Sequence, residues 1–468
     1  MFGAVVGVDI GTGGARAVAV DREGTLRGAA TAAYQDDGSW PPGRANASAW
    51  RAACLEALAA LASSVDVAAQ PVAVAVGGQS PTTVAADGGL AVTIRHPAGN
   101  DADNASRQYI QRAVIEAERG TAIAPRQLWD WVLESLGAEA VQGRWPGDPT
   151  LVDFGQRRVT GEVVGYANGE PGLPRGTPLV TGAQDAYLAF WAAGMDLLGR
   201  AVDPGGRTGG LAVAVQQTLQ VEGLWTFSSA ARGVSIAGGA VNAHGIAVEW
   251  LAGVLNRSVD ELLELAAEAP AGARGALFLP YLEGERAPRW DSRLRGVVAG
   301  LDSATSAAEL TRAVLEGTAC GLAHVASVLR AAGAHIDALV CAGSPARSEL
   351  WCAIKGALLD VEVEVPIDLD LAAYGAALAA GAGAGWWPRP GEGDPGSWPR
   401  PPMRRVPPLT SAGLYADALR RFVAAGDIVQ ENLAIFGANA DNTTNADVTA
   451  NANASANSNV TARTLMRD

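Results

Sequence analysis

The segment Asp9-Ile10-Gly11-Thr12-Gly13-Gly14 closes the apolar run Ala4 to Ile10 and sets a carboxylate at the C-terminal end of a predicted strand. Glycines follow at once, and their amides can approach oxygen atoms closely. Such a loop can hold phosphates while its aspartate orients Mg²⁺ through water. Taken alone, the same pattern also describes an ordinary glycine hairpin. Two further glycine turns keep it company: Gly205-Gly206-Arg207-Thr208-Gly209-Gly210 ahead of the run Leu211 to Val215, and Ala342-Gly343-Ser344-Pro345 after the run Ala338 to Cys341. Three such loops can surround one nucleotide in a cleft between two units. Asp185 is the candidate proton acceptor, because it falls between a predicted strand and a helix start, where the helix N-terminus favours the ionised carboxylate. A plain N-cap aspartate is the competing reading. The glycine-flanked setting Thr181-Gly-Ala-Gln-Asp185, with the polar Gln184 beside it, favours chemistry.

These residues need elements to position them. Ala4 to Ile10, Ala15 to Val20 and the turn Asp21-Arg22-Glu23-Gly24 read as strand, glycine turn, strand, turn, strand. Trp50 to Leu61 has helical periodicity behind a capping Ser48, and a buried strand at Val72 to Val76 runs into Gly77-Gly78-Gln79-Ser80-Pro81. Val259 to Ala269 and Ala307 to Gly333 read as amphipathic helices, and another helix starts near Glu349. The expected architecture is α/β, in two units whose strands end in glycine turns. The Asn, Ala, Thr, Ser and Asp composition of residues 437–468 is too polar to bury a core, so that tail is expected to be disordered.

Composition excludes several functions. Of 468 residues, 49% are hydrophobic and 18% charged, enough for large cores, and the net charge of -14 opposes nucleic acid and anionic membranes as partners. Lys355 is the single lysine, so a phosphate loop ending in Gly-Lys-Ser/Thr and a protein-kinase strand lysine are both absent, and a Schiff base would rest on Lys355 alone. Cys54, Cys320, Cys341 and Cys352 stand in apolar surroundings without a Cys-x-x-Cys pair, which fits buried packing in a reduced, cytoplasmic setting. The four histidines lack zinc spacing, and neither a leader peptide nor a membrane span is expected.

Asp9-x-Gly-Thr, Gly78-Gln79-Ser80, Thr181-Gly-Ala-Gln-Asp-Ala186, Leu279-Pro-Tyr-Leu-Glu-Gly-Glu-Arg-Ala-Pro288 and the turn at Gly343 resemble, in order and spacing, the FGGY carbohydrate kinases. The most specific piece is Gly296 to Leu301, a seven-residue spacer, and Glu309 to Glu316. The resemblance implies two ribonuclease-H-like, actin-like domains with an interdomain nucleotide cleft, and γ-phosphoryl transfer from MgATP to a sugar or polyol hydroxyl. The expected division is 1–237 for sugar and first phosphate loop, 238–436 for nucleotide, and 437–468 for the tail. By resemblance, Asp185 is the general base and Asp9 the Mg²⁺-organising carboxylate. Gly11, Thr12, Gly13 and Arg16 match the first phosphate loop, and Thr208 and Gly209 the second. Gly245, Gly343, Ser344 and Arg347 fall at the adenosine, and Gln79, Ser80, Gln184 and Asp185 at the substrate.

The default substrate is a ketopentose such as xylulose, with gluconate or a polyol as rivals and a homodimer as the candidate assembly. A nucleotide- or sugar-binding pseudokinase is the reading from another class. The chain departs from the family in three places. Thr93 to Asp101 replaces a Trp-x-Asp-x-Arg type motif, only Val163 to Gly172 stand where several dozen residues are usual, and Arg207 occupies a position normally small or hydroxylated. Lys355 is expected at the surface or rim of the nucleotide side.

Overall fold

A computed structural model describes residues 3–34, 41, 43–64, 71–93, 104–119, 124–148, 154–367, 370–409 and 412–436. The tail 437–468 and most of the divergent segment after Thr93 lie outside them. The first sheet is built from β1 (Val5–Ile10), β2 (Gly14–Val20), β3 (Leu26–Ala33), β4 (Val74–Gly78), β5 (Val163–Tyr166) and β6 (Pro178–Val180), in the order β5-β6-β4-β1-β2-β3. The second contains β7 (Arg200–Asp203), β8 (Gly209–Val215), β9 (Trp225–Ser228), β10 (Ser235–Val241), β11 (Ala338–Cys341), β12 (Glu362–Pro366) and β13 (Met403–Val406), in the order β9-β10-β8-β7-β11-β12-β13. In each sheet the leading strand pairs antiparallel with the next and parallel with a strand from much later in the chain. The two sheets therefore repeat one topology, the ribonuclease-H-like arrangement expected for an actin-like fold.

The change of sheet falls between β6 and β7, earlier than the expected division at 237/238. Pairing explains why. β8 and β10 match residue for residue from Gly209↔Val241 to Val215↔Ser235, so a domain cut between them would orphan a whole ladder of backbone groups. The short stretch after Glu162 is a closed hairpin, with β5 antiparallel to β6 and a bridge between Glu170 and Leu173.

Helices pack on both sheets, among them α1 (Ala47–Ser64), α2 (Leu128–Leu136), α3 (Asp185–Ala192), α4 (Gly245–Leu255), α5 (Val259–Glu268), α6 (Ala307–Ala331), α7 (Glu349–Leu359), α8 (Leu371–Gly383) and α9 (Ala412–Glu431). Their starts follow from local chemistry. Ser258 with Glu261 and Ser306 with Glu309 form capping boxes, and the Asp370 side chain accepts from the Ala373 amide at 3.0 Å. Strand alternation divides the apolar residues. Leu211 and Val213 of β8 face a core shared with α4, α6 and α7, whereas Ala212 and Ala214 face a central core that also holds Val5, Val180, Val202, α3 and α8. None of the described helices is long and apolar enough to cross a membrane.

Lys355 departs from expectation. It is 0% exposed, on α7 against the end of β7, because its ammonium has a carboxylate partner in the core.

Candidate active site

In the first lobe three strand and helix ends converge. Asp9, one residue before the end of β1, lies opposite Arg16 of β2, the Gln79 amide after β4 donates to the Ile10 carbonyl at 3.0 Å, and Gly78 bridges to Gln184 just before α3. The turn between β1 and β2 is fastened by the Gly11 amide on the Gly14 carbonyl at 3.1 Å and by the Tyr34 hydroxyl on the Gly11 carbonyl at 2.6 Å. Thr12 and Gly13 are left exposed at its tip. Arg16 lies 3.8 Å from Asp9 and 3.1 Å from Asp370, the cap of α8. Asp370 was not among the sequence candidates. Its signal was a capping aspartate ahead of an alanine-rich helix, which by itself marks only a helix start.

Asp9 is 3% exposed and its Oδ1 has no hydrogen-bond partner. Burial, then the carboxylates of Asp370 and Asp185, push its pKa well above the usual carboxylate range, with Arg16 opposing. Three carboxyl groups, Asp9, Asp185 and Asp370, face the one guanidinium of Arg16 here. A divalent cation fits that deficit, and since no group of three or more metal-ligating side chains occurs among the described residues, Asp9 would hold it together with water and phosphate oxygens.

Asp185 is the first residue of α3, with Gln184 at the N-cap, and its Oδ1 accepts from the Ala186 amide at 2.8 Å. The helix start favours its ionised form through that hydrogen bond, but it is not the largest influence. Burial outweighs the Ala186 hydrogen bond, Asp370 adds repulsion, and the carboxyl is raised to about 6. A carboxylate of that basicity accepts a proton better than an ordinary aspartate and is still ionised at neutral pH.

Beside it lies a small, partly open recess lined by Ser80, Gln184, Gln108, Gln127, Trp129 and Trp145, among others. Trp145 and Tyr187 stack there with ring centroids 5.5 Å apart. The buried Gln108 Oε1 and Trp129 Nε1 have no hydrogen-bond partners, so the lining offers one orphan acceptor and one orphan donor. Sequence reasoning found Ser80 and Gln184 but missed the aromatic wall, whose residues come from separate segments.

The second lobe assembles the remaining candidates. Gly205 and Gly206 have φ of +66° and +106°, which glycine tolerates, and a Cβ on Gly205 would lie 2.1 Å from the Ala342 carbonyl oxygen. The Gly245 amide donates to the Gly206 carbonyl at 3.0 Å, and those of His244 and Ile246 donate to the Arg207 carbonyl, so the start of α4 is tied to this loop. Gly343 abuts the same loop, 2.9 Å from the Pro204 oxygen to its ideal Cβ, with Ser344 and Arg347 exposed just beyond. Arg207 does not crowd the loop: it points outward and pairs with Glu249 at 3.1 Å, and Thr208 is exposed beside it. The sequence candidates thus form two groups, one per lobe, and the Arg16–Asp370 pair ties the first group to the chain segment that follows β12.

Comparison with known proteins adds a family. Residues 208–384 match the C-terminal domain of the FGGY family of carbohydrate kinases. A xylulose kinase of Staphylococcus epidermidis is 34% identical over 126 residues, 26% of this chain and 25% of the relative. The aligned stretch therefore spans about a quarter of the length of the curated relatives it matches. Among solved structures, xylulose kinase from Rhodospirillum rubrum aligns with a TM-score of 0.72 at 23% identity, covering 92% of this chain and 99% of that one. Gluconate kinase from Lactobacillus acidophilus aligns at 0.74 and 18% identity, covering 93% and 100%. At these identities the likeness establishes the two-domain fold.

Proposed function

We propose that the chain, whose residues 208–384 match the C-terminal domain of the FGGY carbohydrate kinases, is a kinase of that family that transfers the γ-phosphoryl group of MgATP to a hydroxyl of a small neutral sugar, first a ketopentose such as xylulose. The observation that carries this reading is Asp185: a carboxylate raised to about 6, one residue from the Gln184 that lines the recess. A sugar seated there presents its hydroxyl to Asp185, which takes the proton as the oxygen attacks phosphorus. Asp9 would hold Mg²⁺, whose charge would offset that of the phosphoryl oxygens. Arg16 and the amides of Thr12 and Gly13 meet phosphate from the first lobe, in a turn that Gly11 shapes by its own bond to the Gly14 carbonyl, and Thr208 and Gly209 meet it from the second. Gly245, Gly343, Ser344 and Arg347 border the adenosine, while Gln79, Ser80 and Gln184 orient the sugar.

A neutral sugar suits the recess better than an aldonate. Hydroxyls both donate and accept, and so can satisfy the orphan Gln108 Oε1 and Trp129 Nε1, while no arginine is found among the described residues that line the recess. A gluconate carboxylate would go unpaired there. Four buried free cysteines suit a reducing compartment such as the cytoplasm.

The test is ATP-dependent phosphorylation across ketoses, polyols and aldonates. We expect a ketopentose to be turned over best, with Asp185→Ala slower by about a thousandfold. No turnover of any acceptor alongside retained ATP binding would identify a pseudokinase, and full activity in the Asp185 variant would remove the base assignment.

A further inference from the structure

Beneath the second glycine loop lies a buried charge cluster that the phosphoryl-transfer chemistry does not use. Asp203 ends β7 and is 0% exposed. Its two oxygens have different partners. Oδ1 accepts from the Gly205 amide at 3.0 Å, and Oδ2 accepts from Lys355 Nζ at 2.6 Å. Lys355 is itself fully buried, with its ammonium 4.8 Å from the centre of the Trp351 ring. The other face of the cluster is His244, whose Nε2 is 3.6 Å from Asp203 Oδ2 and whose ring stacks on Trp351 at 4.6 Å and 13°.

The ionisation states follow from this packing. Burial works against a charged Asp203, but the Lys355 ammonium, through its charge and its hydrogen bond, and the Gly205 amide outweigh it and hold the carboxyl below its usual range. Burial, reinforced by Lys355, pushes the His244 imidazole down to about 4, so it is neutral. The core therefore holds one carboxylate and one ammonium, each the other's counter-ion.

Several partners of this pair lead back to the loop. Gly205 is the loop's first glycine, the Ala342 amide donates to the Asp203 carbonyl at 2.9 Å beside Gly343, and the His244 backbone holds the Arg207 carbonyl. An ideal Cβ on Gly209 would fall 2.9 Å from the His244 ring. The loop itself runs through two consecutive residues of positive φ, a shape that the Asp203–Gly205 hydrogen bond and the backbone bonds from α4 hold together. An ionised Asp203 makes a stronger hydrogen bond to Gly205 than a neutral one would. It remains ionised in the core only because a cation sits against it, for an unpaired buried charge is costly.

We propose that Lys355 is a positioning residue for nucleotide binding: by keeping Asp203 ionised and oriented, it fixes the Gly205–Thr208 loop in the shape that receives the nucleotide phosphates. The role rests on the kinase reading given above. It also gives the chain's one lysine a use in a phosphate site whose loops contain no lysine of their own.

The test is calorimetric binding of MgADP to the full-length protein, with circular dichroism to confirm folding and the KM for xylulose as the reference for the sugar side. In Lys355→Met, Asp203 loses its counter-ion, and MgADP binding weakens by about tenfold or more while the xylulose KM stays unchanged. In Asp203→Asn/Lys355→Met no charge is left in the core and an amide oxygen remains opposite Gly205, so affinity returns to about threefold below wild type. Recovery on making a second substitution is something lost packing cannot produce. Wild-type MgADP affinity in the double variant, equal losses on the nucleotide and sugar sides, or a double variant that does not fold would each overturn the role. If Lys355→Met alone is unfolded, the double variant decides. A wild-type protein that binds no adenine nucleotide overturns the kinase reading itself, whereas normal wild-type binding with unaffected variants overturns only the part assigned to Lys355.

Discussion

The Asp185 carboxyl carries two roles that pull against each other, and both can be read from pH. Raised to about 6 from the ordinary 3.8, it binds its proton more tightly in the folded chain than in the unfolded one. Below about pH 4 both states are protonated and the raised value costs nothing. Above about 6 both are ionised and the cost is fully present. Asp185→Asn should therefore raise the melting temperature at pH 7, with the gain fading as pH falls from 6 towards 4. The same substitution should abolish most turnover, and in the wild-type protein kcat/KM for the sugar should fall below pH 6 as the base becomes protonated. Thermal melts and rates across this range check both; a melting gain that persists at pH 4 would show that the carboxylate is not the cause. Single residues differ in how legible they are. Asp9 and Asp185 announce themselves by ending a strand or starting a helix among glycines. Lys355 and Asp203 do not, because a pair separated by 152 positions leaves no local pattern. An isolated lysine on a helix is most simply placed at the surface.

At the scale of elements, the placement of α8 decides how closely the chain can pack around the Arg16–Asp370 pair. Its sequence, Leu-Ala-Ala-Tyr-Gly-Ala-Ala-Leu, is apolar on all sides, the composition of a helix buried all round. Small residues let it approach. An ideal Cβ on Gly375 would lie 2.1 Å from the Leu188 carbonyl oxygen of α3, and one on Gly7 of β1 the same distance from the Ala373 carbonyl oxygen. Backbone cannot yield as a flexible side chain can, so Gly375→Ala should destabilise the protein by about 2 kcal/mol or more. Gly253→Ala should do the opposite, gaining about 0.5–1 kcal/mol, since that glycine sits on the exposed face of α4 with nothing near its ideal Cβ. Denaturant melts of the two variants give the comparison, and equal shifts would contradict the close-approach argument. The sequence also shows where helices start, as at Ser258 and Ser306, while saying little about why particular motif residues are needed. Glu309 of the most specific motif completes a capping box. Glu316 accepts from the Tyr415 hydroxyl at 3.0 Å and the Gly272 amide at 2.9 Å, so its part is to fasten α9 and a neighbouring turn to α6.

For the whole molecule, the decisive feature is the central core between the two sheets. Val5, Val18 and Val180 enter it from the first sheet, Val202, Ala212, Ile236 and Val340 from the second, with α3 and α8 between them. Two glycine-terminated α/β units could be expected from periodicity, but periodicity does not reveal that alternate strand residues of both sheets meet in one cluster. Nor could it place the change of sheet ahead of β7, since strands on either side of a boundary look alike in sequence and only their pairing differs. A shared core makes the lobes interdependent: neither can unfold without exposing apolar surface of the other. Calorimetric melting should accordingly show one cooperative transition and not one for each lobe. Trp191 tests this at its centre. It is 1% exposed and meets Trp145 edge-on at 5.7 Å and Trp398 at 5.6 Å, residues from distant parts of the chain. Trp191→Ala should cost about 3–5 kcal/mol and move the whole transition down intact. A split into two peaks, with one left at the wild-type temperature, would mean that the lobes fold separately and that the central core is an interface between them.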